Sequence, residues 1–174
     1  MFTDPYQNII KLGLSEGMKV ADFGAGAGFV VKALSDKVGY TGKVFAIDVQ
    51  KDMVKRLENE IKFWGIKNVE CIWGDVEKIG GSKIADDSMD AVVLTNVLSQ
   101  TEDKIGVISE IKRVLKKGGK VLFADLMNIK VGGFSRDNNL TKEKAIELFE
   151  KKGFVAESNI SDSQTHYGII FKYE

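Results

Sequence analysis

At 174 residues, with 44% hydrophobic and 29% charged residues, the chain has the length and balance of one globular domain with room for a real core. Its 25 basic and 25 acidic residues cancel, so the basic excess of most nucleic-acid binders is missing, and no apolar run approaches the ~20 residues of a membrane span. The opening MFTDPYQN does not read as a signal peptide, and Cys71 has no second cysteine to pair with; a soluble cytoplasmic protein is expected.

Residues 4–13 read as a short helix, with Pro5 suited to a first helical position and Tyr6, Ile9, Ile10 and Leu12 on an apolar side. Residues 14–17 form a turn. A first strand over 19–23 runs into a glycine loop, Gly24-Ala25-Gly26-Ala27-Gly28, and a helix over 29–38 follows. A second strand is predicted over 43–48, then a helix over 52–64 with Met53, Leu57, Ile61 and Trp64 on one face. A third strand, 68–73, is closed by Gly74-Asp75, and a polar loop precedes a fourth strand over 91–95. The helix predicted over 101–116 turns Ile105, Ile108, Ile111 and Leu115 inward and is capped by Gly118-Gly119. A fifth strand covers 120–125, and a loop with Gly132 and Gly133 follows. Thr141 is the expected N-cap of a helix that ends at Gly153, and two last strands, 154–160 and 167–172, flank a loop.

Five strands, each read as apolar on both faces, alternate with helices, which describes a parallel sheet covered on both sides. The last two strands have no helix between them and should pair antiparallel. Ligands of such sheets sit at the carboxyl ends of the parallel strands, where the strand order reverses. That rim gathers the glycine loop, Asp48, Asp75, Asn96 and His166.

Two ligand classes compete for the rim, a dinucleotide and S-adenosylmethionine. The dinucleotide fingerprint G-x-G-x-x-G needs a glycine where Phe29 stands, and Gly28 comes one residue early. In its place stands Asp22-x-Gly24-x-Gly26-x-Gly28. Asp48, at the tip of the second strand, could accept both ribose hydroxyls in either class. Asp75 with Val76 is the sharper clue: a carboxylate there can take an adenine amino group while the next backbone N–H donates to a ring nitrogen.

Over nearly its whole length the chain resembles class I S-adenosylmethionine-dependent methyltransferases, in VADFGAGAG, FAIDV, WGDVEKI, DAVVLTNVL and RVLKKGGKVLFAD. It is similar in particular to the small methyltransferase-domain group related to ubiquinone/menaquinone C-methyltransferases and arsenite methyltransferases. The resemblance implies an α/β fold, a Rossmann-like three-layer α/β/α sandwich on a seven-stranded sheet with the last strand antiparallel. It also implies one domain over 1–174, with an N-terminal helix and lid (1–16), a cofactor-binding core (17–126) and a last helix with antiparallel hairpin (127–174). Carried over position by position, Gly24, Ala25, Gly26 and Gly28 form the loop facing the methionine part, with Asp22 nearby. Asp48 binds the ribose, Val49 and Met53 flank the adenine, Gly74, Asp75 and Val76 read its edge, and the Asn96 backbone meets the methionine amino group.

Methyl transfer from a sulfonium is an in-line displacement with a neutral leaving group, so the enzyme mainly aligns the nucleophile and excludes water. A base matters only where the acceptor arrives protonated. His166, the only histidine, is the candidate base, and a structural or surface histidine is the alternative. Asn96 is a candidate cofactor and substrate contact, although the TNVLSQ stretch lacks the aromatic ending of relatives that methylate amines. Phe2 and Tyr6 are candidate lid residues, with plain helix packing as the alternative. Cys71 reads as an inert, buried thiol. The acids Asp86, Asp87 and Asp90 read as solvated charge rather than a metal site. Lys116-Lys117 and Lys151-Lys152 end helices, and Lys130 and Arg136 are placed to meet an anionic acceptor or solvent. Either the acceptor is a small molecule, or the site is open and completed by a partner subunit or a second copy of the chain. The alternatives are an NAD(P)-dependent oxidoreductase and a cofactor-binding subunit without activity of its own.

Overall fold

The computed structural model describes residues 5–127, 129–131, 134–136, 140–162 and 166–174. In chain order the elements are α1 (Pro5–Leu12), β1 (Lys19–Phe23), α2 (Val31–Val38), β2 (Lys43–Asp48), α3 (Lys51–Phe63), β3 (Val69–Trp73) and β4 (Met89–Thr95). A 3₁₀ turn (Leu98–Gln100), α4 (Lys104–Val114), β5 (Leu115–Leu126), β6 (Ile129–Val131), β7 (Phe134–Arg136), α5 (Lys142–Glu150), β8 (Phe154–Asp162) and β9 (His166–Tyr173) complete them. Seven strands share one sheet in the order β3-β2-β1-β4-β5-β9-β8. β1 to β5 run parallel, and β9 lies antiparallel between β5 and β8. The strand order reverses between β1 and β4, so the crevice that such sheets use for ligands opens above those two strands.

Alternate strand residues feed two cores, as the period of two dictates. Val20, Val44, Ala91, Val93 and Leu122 pack with Ile9 and Leu12 of α1, Leu34 and Val38 of α2, and Leu57 and Ile61 of α3. Ala21, Phe23, Val92, Leu94, Val121 and Phe123 pack on the other face against Ile108 and Ile111 of α4 and Phe149 of α5. The result is three layers, α1–α3 over one face of the sheet and α4–α5 over the other. Among the described residues, no helix is long and apolar enough to cross a membrane.

Several boundaries depart from the sequence expectation. α2 starts at Val31, leaving Phe29 72% exposed. α3 turns Val54, Leu57 and Ile61 inward, so Met53 is only half-buried and Trp64 lies at the surface. One residue of helix rotates the face by ~100°, and the tighter β-branched Val54 takes the inner place. α4 is shorter than predicted: Asp103 is its N-cap, its carboxylate accepting from Gly106 N at 2.8 Å, and Ile105 is exposed while Val107, Ile108, Ile111 and Val114 are buried. The helix ends at Val114 because Leu115 already pairs with Met89. The register then jumps to Ala91 opposite Lys120, so residues 116–119 bulge from the ladder instead of capping a helix. β3 is an edge strand and half exposed, not apolar on both faces, with Trp73 at its end largely in solvent.

Thr141 caps α5 as expected, its hydroxyl accepting from Lys144 N. The segment read as a plain loop after the fifth strand contains the short β6–β7 hairpin. His166, read as a loop residue, opens β9 opposite Leu126. Phe2, Gly132, Gly133 and residues 163–165 lie outside the described residues, as do the side chains of Tyr6, Lys130 and Arg136.

Candidate active site

The glycine loop is built by backbone pairing to the neighbouring strand. Gly24 N and Ala25 N both donate to Ile47 O, at 2.8 and 2.9 Å, and Gly26 N donates to an oxygen of the Asp48 carboxylate at 2.9 Å. The other Asp48 oxygen accepts from Gln50 N at 2.8 Å. Asp48 therefore fixes the loop itself, and each of its oxygens keeps a lone pair for a ligand hydroxyl. Gly24 (φ +79°) passes so close to Val97 that a Cβ would lie 2.3 Å from its Cγ2, while Gly28 (φ +80°) does the same against Leu57 Cδ1, also at 2.3 Å. Gly28 thus seats the loop on α3, whereas a Cβ at Gly26 would point into nearly open space.

Two cavities of about 440 and 430 Å³ open on this rim and share Gly24, Thr95 and Asn96. The second takes Asp48 and Val49 from the end of β2, and Gly74, Asp75 and Val76 from the end of β3. Asp75 accepts from Glu77 N at 3.1 Å and pairs with Lys78 at 3.1 Å, while Val76 is buried beneath it. Trp73 donates its indole N–H to Val49 O at 2.9 Å, and Lys51 and Lys83 lie over its ring. That clamp on Val49 escaped the sequence reading, because a Trp at a strand end reads as core.

The first cavity lies between α1 and the sheet. Its walls are apolar, from Ile9, Phe29, Val30, Val93, Leu122 and Ala124, and Asn8, Asp22, Thr95, Asn96 and His166 bring polar groups to it. Asp22 is 2% exposed. Burial, and next the charge of Asp48, push its carboxyl up to about 7. Asp22 Oδ2, Asn96 Oδ1, Asn8 Oδ1 and Thr95 Oγ1 are buried without a hydrogen-bond partner among the described residues. Buried polar atoms are rarely left this way, and here four converge on one cavity. Three of the four are acceptor oxygens, which suits a ligand that carries donors and positive charge. Asn8 and Thr95 were not singled out from sequence; only the packing of α1 over β4 reveals them.

Asn96 holds a left-handed backbone, φ +56°, which asparagine tolerates better than most residues. Its N–H donates to Ala124 O at 2.8 Å, and its carbonyl accepts from the Gln100 side chain. Strained backbone of this kind gathers at ligand sites. Behind it the fully buried Asp125 accepts from Ser99 N (2.9 Å) and Ser99 Oγ (2.7 Å), fixing the turn after β4. Burial holds the His166 pKa below its ordinary value, opposed by the nearby charge of Asp125. The ring is therefore neutral at pH 7 and able to accept a proton.

Of the residues expected to form the site, Asp22, Gly24, Ala25, Asn96 and His166 line the first cavity, and Gly24, Asp48, Val49, Gly74, Asp75, Val76 and Asn96 line the second. Gly26, Gly28 and Met53 line neither, although Gly26 bonds to Asp48. Cys71 also lines neither, and burial, with Glu58 and Glu70 nearby, pushes its thiol up to about 11. Asp86 and Asp90 are engaged by Arg113 and Lys116.

S-adenosylmethionine combines an adenosine with a sulfonium and an ammonium. The donor set fits it: strand-end carboxylates line the second cavity, and oxygens of Asn8, Asp22, Thr95 and Asn96 without a partner among the described residues face the first, Thr95 and Asn96 where the two cavities meet. Comparison with known proteins agrees. The methyltransferase-domain family matches residues 14–170. A human arsenite methyltransferase is 37% identical over 117 residues, 64% of this chain and 31% of that protein. A ubiquinone/menaquinone biosynthesis C-methyltransferase of Hahella chejuensis is 29% identical over 142 residues, 81% of this chain and 53% of that protein. The crystal structure of a SAM-dependent methyltransferase from Aquifex aeolicus superposes with a TM-score of 0.83 at 28% identity, covering 98% of this chain and 90% of that one. The chain spans about a third to a half of the length of the curated relatives it matches. Neither a nicotinamide-dependent oxidoreductase nor an inactive subunit is supported by these likenesses.

Proposed function

Because this chain belongs to the methyltransferase-domain family, we propose that it transfers a methyl group from S-adenosylmethionine to a small, largely apolar acceptor. The observation that carries this reading is the convergence of Asp22 Oδ2 and Asn96 Oδ1, buried and without a partner among the described residues, on the first cavity, at whose junction with the second Asn96 lies.

When bound, S-adenosylmethionine supplies an electrophilic methyl on a sulfonium that leaves as a neutral thioether. Asp48 accepts the ribose hydroxyls while keeping the glycine loop in place. Asp75 accepts the adenine amino group, the Val76 N–H donates to the ring, and Val49 covers the base. Asp22 and Asn96 take the ammonium. Pairing with that cation favours the ionised form of Asp22 and offsets its burial. The apolar walls of the first cavity exclude water from the acceptor and hold it in line with the methyl. Where the acceptor brings a proton, the neutral imidazole of His166 removes it.

The named relatives split between arsenite and quinone-type carbon acceptors. The apolar cavity favours a ring or similar carbon or oxygen acceptor. This chain itself brings no thiol set for arsenic: Cys71 is its one cysteine and lies on edge strand β3. A second copy or a partner subunit could complete the acceptor side.

The test is transfer of labelled methyl from S-adenosylmethionine into extracts, fractionated by polarity and size. Label in a small lipophilic product supports the reading. Label in protein or nucleic acid overturns the acceptor class, and no label from a preparation that binds the cofactor overturns the activity.

A further inference from the structure

A buried acid–base cluster on α4 lies outside both cavities. Glu110 is fully buried. One of its carboxylate oxygens accepts from Ser82 N (3.1 Å) and Ser82 Oγ (2.5 Å), and the other from Gly80 N (2.7 Å). Arg113, one turn on, closes the carboxylate with Nε at 2.9 Å and Nη2 at 2.7 Å, and its other arm holds Asp86. Burial would raise the Glu110 carboxyl, but the bonds from Arg113, Ser82 and Gly80 hold it down to about 2. Neither Glu110 nor Arg113 lines either cavity, and a charge so thoroughly bonded is held for position.

The backbone it holds is the underside of the base-reading turn. Lys78 N donates to Asp75 O and Gly81 N to Lys78 O, so residues 75–81 fold back on themselves. A Cβ on Gly74 would lie 2.4 Å from Gly81 O, and one on Gly81 would lie 1.9 Å from Asp75 O. The two stretches therefore touch backbone to backbone, with no side chain between them to absorb a shift. α4 grips the same loop at a second point: Asp103 N donates to the Glu77 carboxylate at 2.6 Å, and a Cβ on Gly106 would sit 2.2 Å from Glu77 O. Displacing Gly80–Ser82 must displace Gly74–Asp75.

We infer that Glu110, locked by Arg113 and acting through the Gly80–Ser82 turn, is a positioning residue that fixes Asp75 and Val76 at the edge of the ligand's base and so sets selectivity for a 6-amino purine. This rests on the reading that the second cavity takes the adenosine part of S-adenosylmethionine. The geometry separates affinity from selectivity. A change that merely loosens the fold weakens every ligand alike, whereas one that moves Asp75 removes the contact only an amino group makes.

The experiment compares dissociation constants of S-adenosylhomocysteine and its 6-oxo analogue, S-inosylhomocysteine, for wild type, Glu110→Gln, Ser82→Ala and Asp75→Ala. Wild type is expected to prefer the adenine ligand by about tenfold or more, the worth of a hydrogen bond to a charged group. Asp75→Ala lowers the ratio severalfold, towards the level that the Val76 N–H alone maintains against the N1–H of the 6-oxo ring. Glu110→Gln, which puts an NH₂ against donors, brings it most of the way there. Ser82→Ala, which removes one bond to Glu110 along with the long contacts of the hydroxyl to Ile84 N and Arg113 and leaves Glu110 charged, lowers it about threefold and serves if Glu110→Gln does not fold. A wild-type ratio retained in folded Glu110→Gln, or in Ser82→Ala where the first does not fold, overturns the inference and leaves the cofactor reading standing. A wild type that binds neither ligand overturns the cofactor reading, and the inference with it.

Discussion

Asp22 predicts a trade of stability against binding. The carboxyl moves from 3.8 to about 7 on folding, through burial and next the charge of Asp48. Its folded-state value lies above the unfolded one, so the associated stability is full below 3.8 and is lost as pH rises through about 7. At ~1.4 kcal/mol per tenfold, the penalty reaches ~4 kcal/mol once the group is ionised. Asp22→Asn keeps the shape and removes the charge, at the expense of a buried amide worth ~1–3 kcal/mol if it finds no partner. The ligand-free variant should therefore be more stable than wild type by ~1–3 kcal/mol at about pH 8. The pH dependence is the sharper quantity, because it is free of packing differences: the gap between variant and wild type should widen by ~2 kcal/mol between about pH 5.5 and about pH 8. Urea unfolding of both proteins at the two pH values, without ligand, measures it. Parallel pH profiles, or a variant less stable at about pH 8, would refute the assignment of Asp22 as a buried, uncompensated acid. The same variant should bind S-adenosylhomocysteine more weakly, with the wild type's loss of affinity on acidification below about 7 abolished.

His166→Asn should lower turnover on a proton-bearing acceptor by about 10²-fold or more while leaving cofactor affinity near wild type, read by steady-state kinetics beside cofactor titration; equal turnover removes His166 from the mechanism. In wild type the rate should fall as pH drops through the His166 pKa, which burial holds below 6.5, and the fall should vanish in the variant. Gly24→Ala must push Val97 aside at a left-handed backbone position, so it should lose ~2–3 kcal/mol of stability and bind cofactor poorly. Gly28→Ala meets only the tip of Leu57 and should lose ~1 kcal/mol with binding largely kept; equal binding losses in the two would contradict their different settings.

The rim was legible in the sequence because its residues sit at strand ends, and strand ends are marked by where apolar runs stop. Asp48, Asp75 and Asn96 each follow such a run, and the topology brings them together as expected. What the glycines touch was not legible: nothing local says that Gly28 faces Leu57 while Gly26 faces open space. Asn8 and Thr95 were missed for a similar reason, since their place in the cavity depends on how α1 crosses the sheet. The α4 boundaries were misread because the chain leaves the helix to satisfy a strand, with Leu115 pairing Met89; pairing across the sheet overrode helical periodicity. Glu110 and Arg113 look in sequence like an ordinary i, i+3 helix pair, and only burial shows that they hold a loop.

Titration calorimetry of the purified protein with S-adenosylhomocysteine, with NADH as the control ligand, tests the central claim most directly. The account predicts saturable one-to-one binding of S-adenosylhomocysteine, competed by S-adenosylmethionine, unaffected by NADH and lost in Asp48→Ala. Binding of NADH with none of S-adenosylhomocysteine would contradict it.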